Sequence, residues 1–410
     1  MSFEHNLDKY AELTVKVALN IQPGQTLWIH APIEHPAFVR SITRKAYEAG
    51  AKHVHIEWQD EICTQIRYTL APDEAFNEYP TWRAQGLTEL AETGGAYLWI
   101  NADNPELLKD IDPARIAANS KAAGPLLVKW RESMSTYDMT WSIIAAPSPA
   151  WAAKVFPDLA EDDAVSALWD AIFKATRVDQ EDPVATWLAH NGTLRSKREE
   201  LNAKQFHKIH YRAPGTNLTV ELPDNHIWRG GSATNGRGGF DFNPNIPTEE
   251  VFLSPHRLGT SGTVRSTKPL SYHGSLIDGF SLTFEQGRVT EYSAEQGYES
   301  LKAMIEIDEG ARHLGEIALV PHHSPISDSN LIFYNTLYDE NASNHLALGR
   351  SFPTCLEGGT TMSNEEQLQA GLNQSLIHVD FMIGSAEMDI DGEHKDGRVE
   401  PIFRKGNWAF

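Results

Sequence analysis

Thr26-Leu27-Trp28-Ile29-His30, then Pro36 through Glu48, then Gly50, then His53-Val54-His55-Ile56-Glu57-Trp58 make one passage that decides the fold. The first piece is a short apolar run and reads as a buried strand. In the second, Phe38, Ile42 and Ala46 recur at helical spacing, so one side of a helix turns inward. Gly50 ends that helix, because glycine enters the left-handed conformation without steric cost. The last piece alternates, as a strand does. The grammar repeats downstream: Gly94 and Gly95 precede Tyr97-Leu98-Trp99-Ile100, and Gly124 precedes Leu126-Leu127-Val128. Repeated strand–helix units predict a largely parallel sheet with helices on both faces. Asp163 to Arg177 reads as an amphipathic helix through Val165, Leu168, Trp169 and Ile172, and Val184, Trp187, Leu188, Leu194 and Leu201 extend the helical texture.

The texture changes near Phe206. Ile209-His210-Tyr211 and Leu218-Thr219-Val220-Glu221-Leu222 flank Pro214-Gly215-Thr216-Asn217, the pattern of a β-hairpin. Strands and glycine-rich loops dominate from there, through Val264 to Phe284 and Ile317 to Val320. The expected fold class is α/β. A mostly parallel α/β domain is expected over 1–205, and a β-rich α+β domain carrying the chemistry over 206–410. Gly230-Gly231-Ser232 and Gly236-Arg237-Gly238-Gly239 lack dinucleotide-binding spacing. They read as a mobile surface loop, or as a place where backbone approaches a ligand.

The chain has 410 residues, enough for two cores, and a net charge of −21. That charge argues against nucleic acid, whose phosphates need a basic face, and against an anionic membrane surface. It favours solubility and the attraction of cations. Cys63 and Cys355 are the two cysteines and build no zinc knuckle or redox pair. No apolar run reaches membrane-spanning length, and Met1 to Asp8 lacks the regions of a signal peptide. A reducing cytoplasm is the expected location.

No GxSxG, HExxH or Gly-Lys motif occurs. Instead, acids and imidazoles are dispersed through apolar settings. In Ser375-Leu376-Ile377-His378-Val379-Asp380-Phe381-Met382, strand periodicity puts His378 and Asp380 on one face and Ile377, Val379 and Phe381 on the other. An imidazole beside a carboxylate on a rigid strand suits a divalent metal; it also suits a solvated polar face. Glu316 opens the apolar run Ile317-Ala318-Leu319-Val320, where burial without a partner costs several kcal/mol. It reads either as a cation ligand or as a strand-end group still in water.

Glu249 and Glu250 precede Val251-Phe252 and face opposite ways if extended. The fragment fits two exposed glutamates as well as one solvated and one turned inward. Asp339-Glu340-Asn341-Ala342-Ser343-Asn344-His345 places Glu340 and His345 off register on a helix, whereas a loop lets them converge. Asp339 or Asn341 also fits a helix N-cap. His322-His323 reads as non-ligand, because neighbours on an extended segment diverge. A set of five or six oxygen and nitrogen ligands exceeds the needs of one catalytic zinc. It suits two ions about 3.5–4 Å apart that lower the pKa of a bridging water toward about 7.

The chain resembles the aminopeptidase T, AmpS and PepS family of bacterial metallo-aminopeptidases. The likeness rests on Asn245-Ile246-Pro247-Thr248-Glu249-Glu250-Val251-Phe252, Pro269-Leu270-Ser271-Tyr272, Asp339-Glu340-Asn341-Ala342-Ser343, His345-Leu346-Ala347-Leu348-Gly349 and His378-Val379-Asp380. In the amino-terminal half, Pro149-Ala150-Trp151-Ala152 and Lys154-Val155-Phe156-Pro157 add to it. The resemblance implies a homodimer with a dinuclear site of zinc, cobalt or manganese in the second domain. The implied ligands are Glu250, Glu316, His345, His378 and Asp380. Glu340 is implied as an outer ligand or proton carrier, with Glu316 the other candidate shuttle, and Glu249 is left in support. The implied substrates are peptides with a free amino terminus and a hydrophobic or basic first residue. The implied reaction is attack of metal-activated water on the first peptide carbonyl.

Two departures stand out. The family usually has tyrosine seven residues after the histidine ligand, where this chain has Ser351-Phe352-Pro353. A tyrosine there is expected to donate to the developing oxyanion, and losing one such donor typically costs about 10²–10³ in turnover. Tyr334 and Tyr338 are the nearest tyrosines in sequence and the candidates to supply that hydroxyl instead. A catalytically weakened member that binds metal and peptide is therefore the alternative reading. A third keeps the metals but changes the substrate to another amide or a phosphoester. Asn344 stands where cysteine is common, a change expected to be benign.

Overall fold

The computed structural model describes residues 2–272 and 275–410. The chain divides into two compact units, Met1–His190 with Ser232–Pro247, and Asn191–Gly231 with Thr248–Phe410. Sequence texture alone suggests one boundary near 205; these units exchange short segments on either side of it. The first unit carries a four-stranded parallel sheet, in the order His53–Gln59, Thr26–Pro32, Ala96–Asn101, Thr140–Ala145. The helix Pro36–Glu48 forms as its spacing predicts, with proline in its first turn and Phe38, Val39, Ile42 and Ala46 buried. Glu161–Ala175 buries Leu168, Trp169 and Ile172, and its first turn carries Glu161, Asp162 and Asp163, where carboxylates oppose the helix dipole.

One expected strand is not a strand. Leu126-Leu127-Val128 lies across a 3₁₀ turn, Gly124–Leu127, and the helix Val128–Ser135. Only Leu127 of the three is buried, so the apolar residues never shared a sheet face. Pro125 presets a helical φ, and the fourth strand forms instead at Thr140–Ala145.

The second unit is dominated by antiparallel sheet. The expected hairpin pairs Lys208–Ala213 with Thr216–Glu221, inside an eight-stranded sheet. The run expected from Val264 to Phe284 forms several strands; His273 and Gly274 within it lie outside the described residues. A five-stranded sheet runs in the order His378–Met382, His345–Gly349, Leu314–Leu319, Val251–Leu253, Arg229–Gly230. The glycine-rich segment near 230 is neither a mobile loop nor a ligand cradle at its start. Arg229–Gly230 is a sheet strand, and a Cβ on Gly230 would lie 2.3 Å from the Glu250 carbonyl oxygen.

Period-two alternation gives this sheet two unlike faces. Leu314, Ile317, Leu319, Leu346, Leu348, Phe381, Val251 and Leu253 turn to one apolar cluster and are buried. Each such side chain stabilises by about 1.5–3 kcal/mol on burial. The other face is left to the acids and imidazoles. One irregularity is decisive. A register shift falls between Leu314 and Glu316, so Leu314 pairs with Leu348 while Glu316 pairs with Ala347. Without that bulge Glu316 would share the core face of Leu314. Gly315 makes it possible: a Cβ there would lie 2.3 Å from the Arg350 carbonyl oxygen.

Among the described residues no helix is long and apolar enough to cross a membrane. Cys63 is exposed and Cys355 buried, and both are free thiols.

Candidate metal centre

Strand register assembles the site. Ala318 lies opposite His345, Glu316 opposite Ala347, Ala347 opposite Asp380, and Gly349 opposite His378. Glu316, Ala347 and Asp380 thus form one row across three strands, with a methyl group between two carboxylates. Glu250 ends the loop before Val251–Leu253 and turns to the same side, where its Oε2 lies 3.2 Å from His345 Nε2.

Two groups of potential ligand atoms result: Glu250, Glu316 and His345, and Glu316, His378 and Asp380. Within each group the atoms lie within 4.8 Å of one another, and Glu316 belongs to both. Glu250, Glu316, His345 and Asp380 are buried, and His378 is partly exposed. The two exposed glutamates that fit the 249–250 fragment are not observed, since Glu249 is buried as well.

The histidines are set for a cation. His345 Nδ1 lies 3.1 Å from the Ser343 carbonyl oxygen, and His378 Nδ1 lies 2.7 Å from that of Arg350. A carbonyl only accepts, so both Nδ1 atoms carry the proton. In a neutral ring each Nε2 then holds a lone pair. Yet His378 Nε2 lies 3.0 Å from Glu316 Oε2 and 3.5 Å from Asp380 Oδ1. Lone pair facing carboxylate is repulsive unless a proton or a metal ion lies between them. Nδ1 on a backbone carbonyl is also how metal-binding imidazoles are usually oriented. The Asp380 Oδ1 atom is buried with no hydrogen-bond partner, as an acceptor awaiting a cation would be. The donor set of carboxylates and imidazoles without thiolate fits a divalent ion.

The electrostatics of the polypeptide alone agree. Burial pushes the Glu316 carboxyl up to about 7, with Asp380 and Glu250 adding to the rise against the His378 hydrogen bond. Glu340 is pushed well above the usual carboxylate range by burial and by Asp380 and Glu250. Burial would lower His345, but its Glu250 partner and the Asp380 and Glu316 charges outweigh that and raise it to about 10. His378 rises likewise through Asp380 and Glu316. Burial would raise Asp380, yet His378 and His345 hold it below the usual value. This is a site short of positive charge.

Glu340 lies in the short turn Glu340–Ala342, close enough to feel four of these groups but outside both compact sets. The N-cap role open to Asp339 and Asn341 is not taken. Asp339 accepts from the Phe333 and Asn335 N–H groups at 2.8 and 3.1 Å. Burial moves its carboxyl up to about 6. Asn341 bridges two segments instead: its Oδ1 accepts from Glu249 N at 2.7 Å, and its Nδ2 donates to Leu337 O at 2.9 Å. Asn344 Oδ1 accepts from Val320 N at 2.9 Å at the end of the Glu316 strand. His322 and His323 lie outside both ligand groups found among the described residues.

Phe352 lies beside the site. Its ring centroid is 4.8 Å from that of His378 and 5.5 Å from that of Phe252, and its N–H donates to Ser254 Oγ at 2.8 Å.

A profile of the family described as thermophilic metalloprotease (M29) matches residues 3–408. The chain belongs to this family. It is 57% identical over 408 residues to Aminopeptidase 2 of Geobacillus stearothermophilus, covering 100% of this chain and 98% of that protein. It is 50% identical to aminopeptidase AmpS of Bacillus subtilis, with both chains covered in full. The solved structure of wild-type AmpT from Thermus thermophilus superposes with a TM-score of 0.93 at 41% identity, again over 100% of both chains. This M29 member is a metal-dependent peptide hydrolase with the fold class expected from its sequence. Likeness of this extent to named aminopeptidases does not favour the weakened, binding-only reading.

Proposed function

We propose that this metal-dependent aminopeptidase holds two divalent cations through Glu250, Glu316, His345, His378 and Asp380, with Glu316 common to both. The observation that carries the reading is the paired histidine geometry: each Nδ1 donates to a carbonyl, and each Nε2 faces a carboxylate at 3.0–3.2 Å. Bound there, such ions lower the pKa of a water toward about 7 and polarise the peptide carbonyl. Zinc, cobalt or manganese suits the donor set.

The chain's own residues supply the rest. Glu340 is the proton carrier: its Oε1 lies 3.4 Å from Asn341 Nδ2, which leaves Oε2 to take and return a proton. Burial, with the Asp380 and Glu250 charges, raises its carboxyl above the usual carboxylate range, which favours holding a proton. Glu316 is tied to His378, which fits a ligand better than a shuttle. Phe252 and Phe352 form an apolar wall beside His378 that suits a hydrophobic first residue of a peptide with a free amino terminus. Phe352 offers no hydroxyl to a developing oxyanion, so that donation falls to another group. An exposed free thiol at Cys63 accords with a reducing cytoplasm. Pairing into a homodimer rests on the family resemblance.

The test is to strip metal with a chelator, count ions on restoring zinc, cobalt or manganese, and assay leucine and arginine aminoacyl-anilides. Activity should vanish and return with two ions per chain. Full activity in metal-free protein would sink the proposal.

A further inference from the structure

Asn341 has no solvent exposure, yet its carboxamide is fully used. Oδ1 accepts from the Glu249 N–H at 2.7 Å. Nδ2 donates to the Leu337 carbonyl at 2.9 Å and lies 3.4 Å from Glu340 Oε1. The amide cannot be flipped, because its oxygen would then face a carbonyl and a carboxylate. At this size only asparagine presents an acceptor on one side and two donors on the other.

The two things it joins are chemically different parts of the site. Glu249 is the neighbour of Glu250, the carboxylate 3.2 Å from His345 Nε2. Glu340 is separate, outside both compact ligand groups. The two segments are far apart in sequence and do not share a strand. We infer that Asn341 is a positioning residue that sets the Glu250 loop and the Glu340 carboxylate relative to each other. This rests on the reading of Glu250 as ligand and Glu340 as proton carrier.

The two ends of the amide are separable. Asn341→Asp keeps an acceptor for Glu249 N–H but loses both donors and sets a carboxylate against Glu340. Asn341→Ala loses both ends. Supporting groups of this kind typically change metal affinity or activity by about 10–100-fold.

The experiment measures metal affinity by chelator competition, together with kcat, KM and Tm, on the holoenzyme, Asn341→Asp, Asn341→Ala, Glu340→Gln and the double variant Asn341→Asp/Glu340→Gln. The Asp variant should keep metal affinity within a few fold and lose about 10-fold or more in kcat. The Ala variant should lose metal affinity too. Asn341→Asp should cost little further kcat once Glu340 is Gln, since residues acting through one another are non-additive. Losses that multiply in the double variant, or that track Tm alone in both single variants, would overturn the inference. If Asn341→Ala does not fold, the Asp and Glu340 cycle still decides. Wild-type protein active without metal would instead overturn the underlying reading, and that control is run first.

Discussion

His378 Nε2 lies 3.0 Å from Glu316 Oε2 while its Nδ1 is committed to the Arg350 carbonyl at 2.7 Å. A neutral imidazole cannot donate to both, so a proton or a metal ion must lie between His378 Nε2 and the carboxylate, and a metal bound there stabilises the folded chain. Chelation should therefore destabilise the protein as well as silence it. A site saturated at 100 times its Kd contributes about 2.7 kcal/mol. Thermal melts with and without chelator check this, and an unchanged Tm would contradict it.

Glu316 is common to both groups of potential ligand atoms, whereas His345 belongs to one. Glu316→Gln should weaken both ions and abolish turnover, while His345→Ala should leave one ion bound. Metal analysis after dialysis distinguishes them. Equal losses in the two variants would argue against a shared carboxylate.

Ala347 lies in register between Glu316 and Asp380. Ala347→Val should crowd the space between the two carboxylates and cut metal affinity about 10-fold or more. Overpacking itself should cost about 1–3 kcal/mol. Chelator competition reads the first effect and denaturant melts the second; normal metal binding would show that the space is not used.

Phe352→Tyr adds a hydroxyl next to His378 without changing the ring packing against Phe252. With that donation already made by another group, the added phenol should change kcat by no more than a few fold. A gain of about 10²-fold would show instead that the donor is missing and the enzyme weakened.

Glu61, in the first unit, has its carboxyl raised to about 7 by burial, with Asp103 and Glu34 adding, against the ordinary 4.5. The folded state therefore holds this proton more tightly than the unfolded one. Its contribution to stability is complete below about pH 4.5 and is lost as pH rises through 7. Glu61→Gln should match wild type in Tm near pH 5 and exceed it near pH 8. A constant difference across that range would refute the shift.

Much of the fold was legible because its signals are local. Pro36–Glu48 forms over the range expected, and so does the hairpin around Gly215. Leu126-Leu127-Val128 misled because three apolar residues cannot distinguish a strand from a turn of helix. The flip at Gly315 was hidden for a different reason. Strict alternation from Leu314 would send Glu316 into the core, and only the register with Leu348 and Ala347 reveals the bulge.

The sequence by itself determined that His378 and Asp380 share a face and that Ile377, Val379 and Phe381 oppose it, since side-chain alternation needs nothing beyond the strand's own backbone. It also carried the family's ordered motifs. Only the tertiary structure decided that Glu316 pairs with Ala347, that both imidazoles point Nε2 inward, and that Asn341 ties Glu249 to the Glu340 turn. Most of those facts depend on contacts between segments remote along the chain, and no local period encodes where such segments meet.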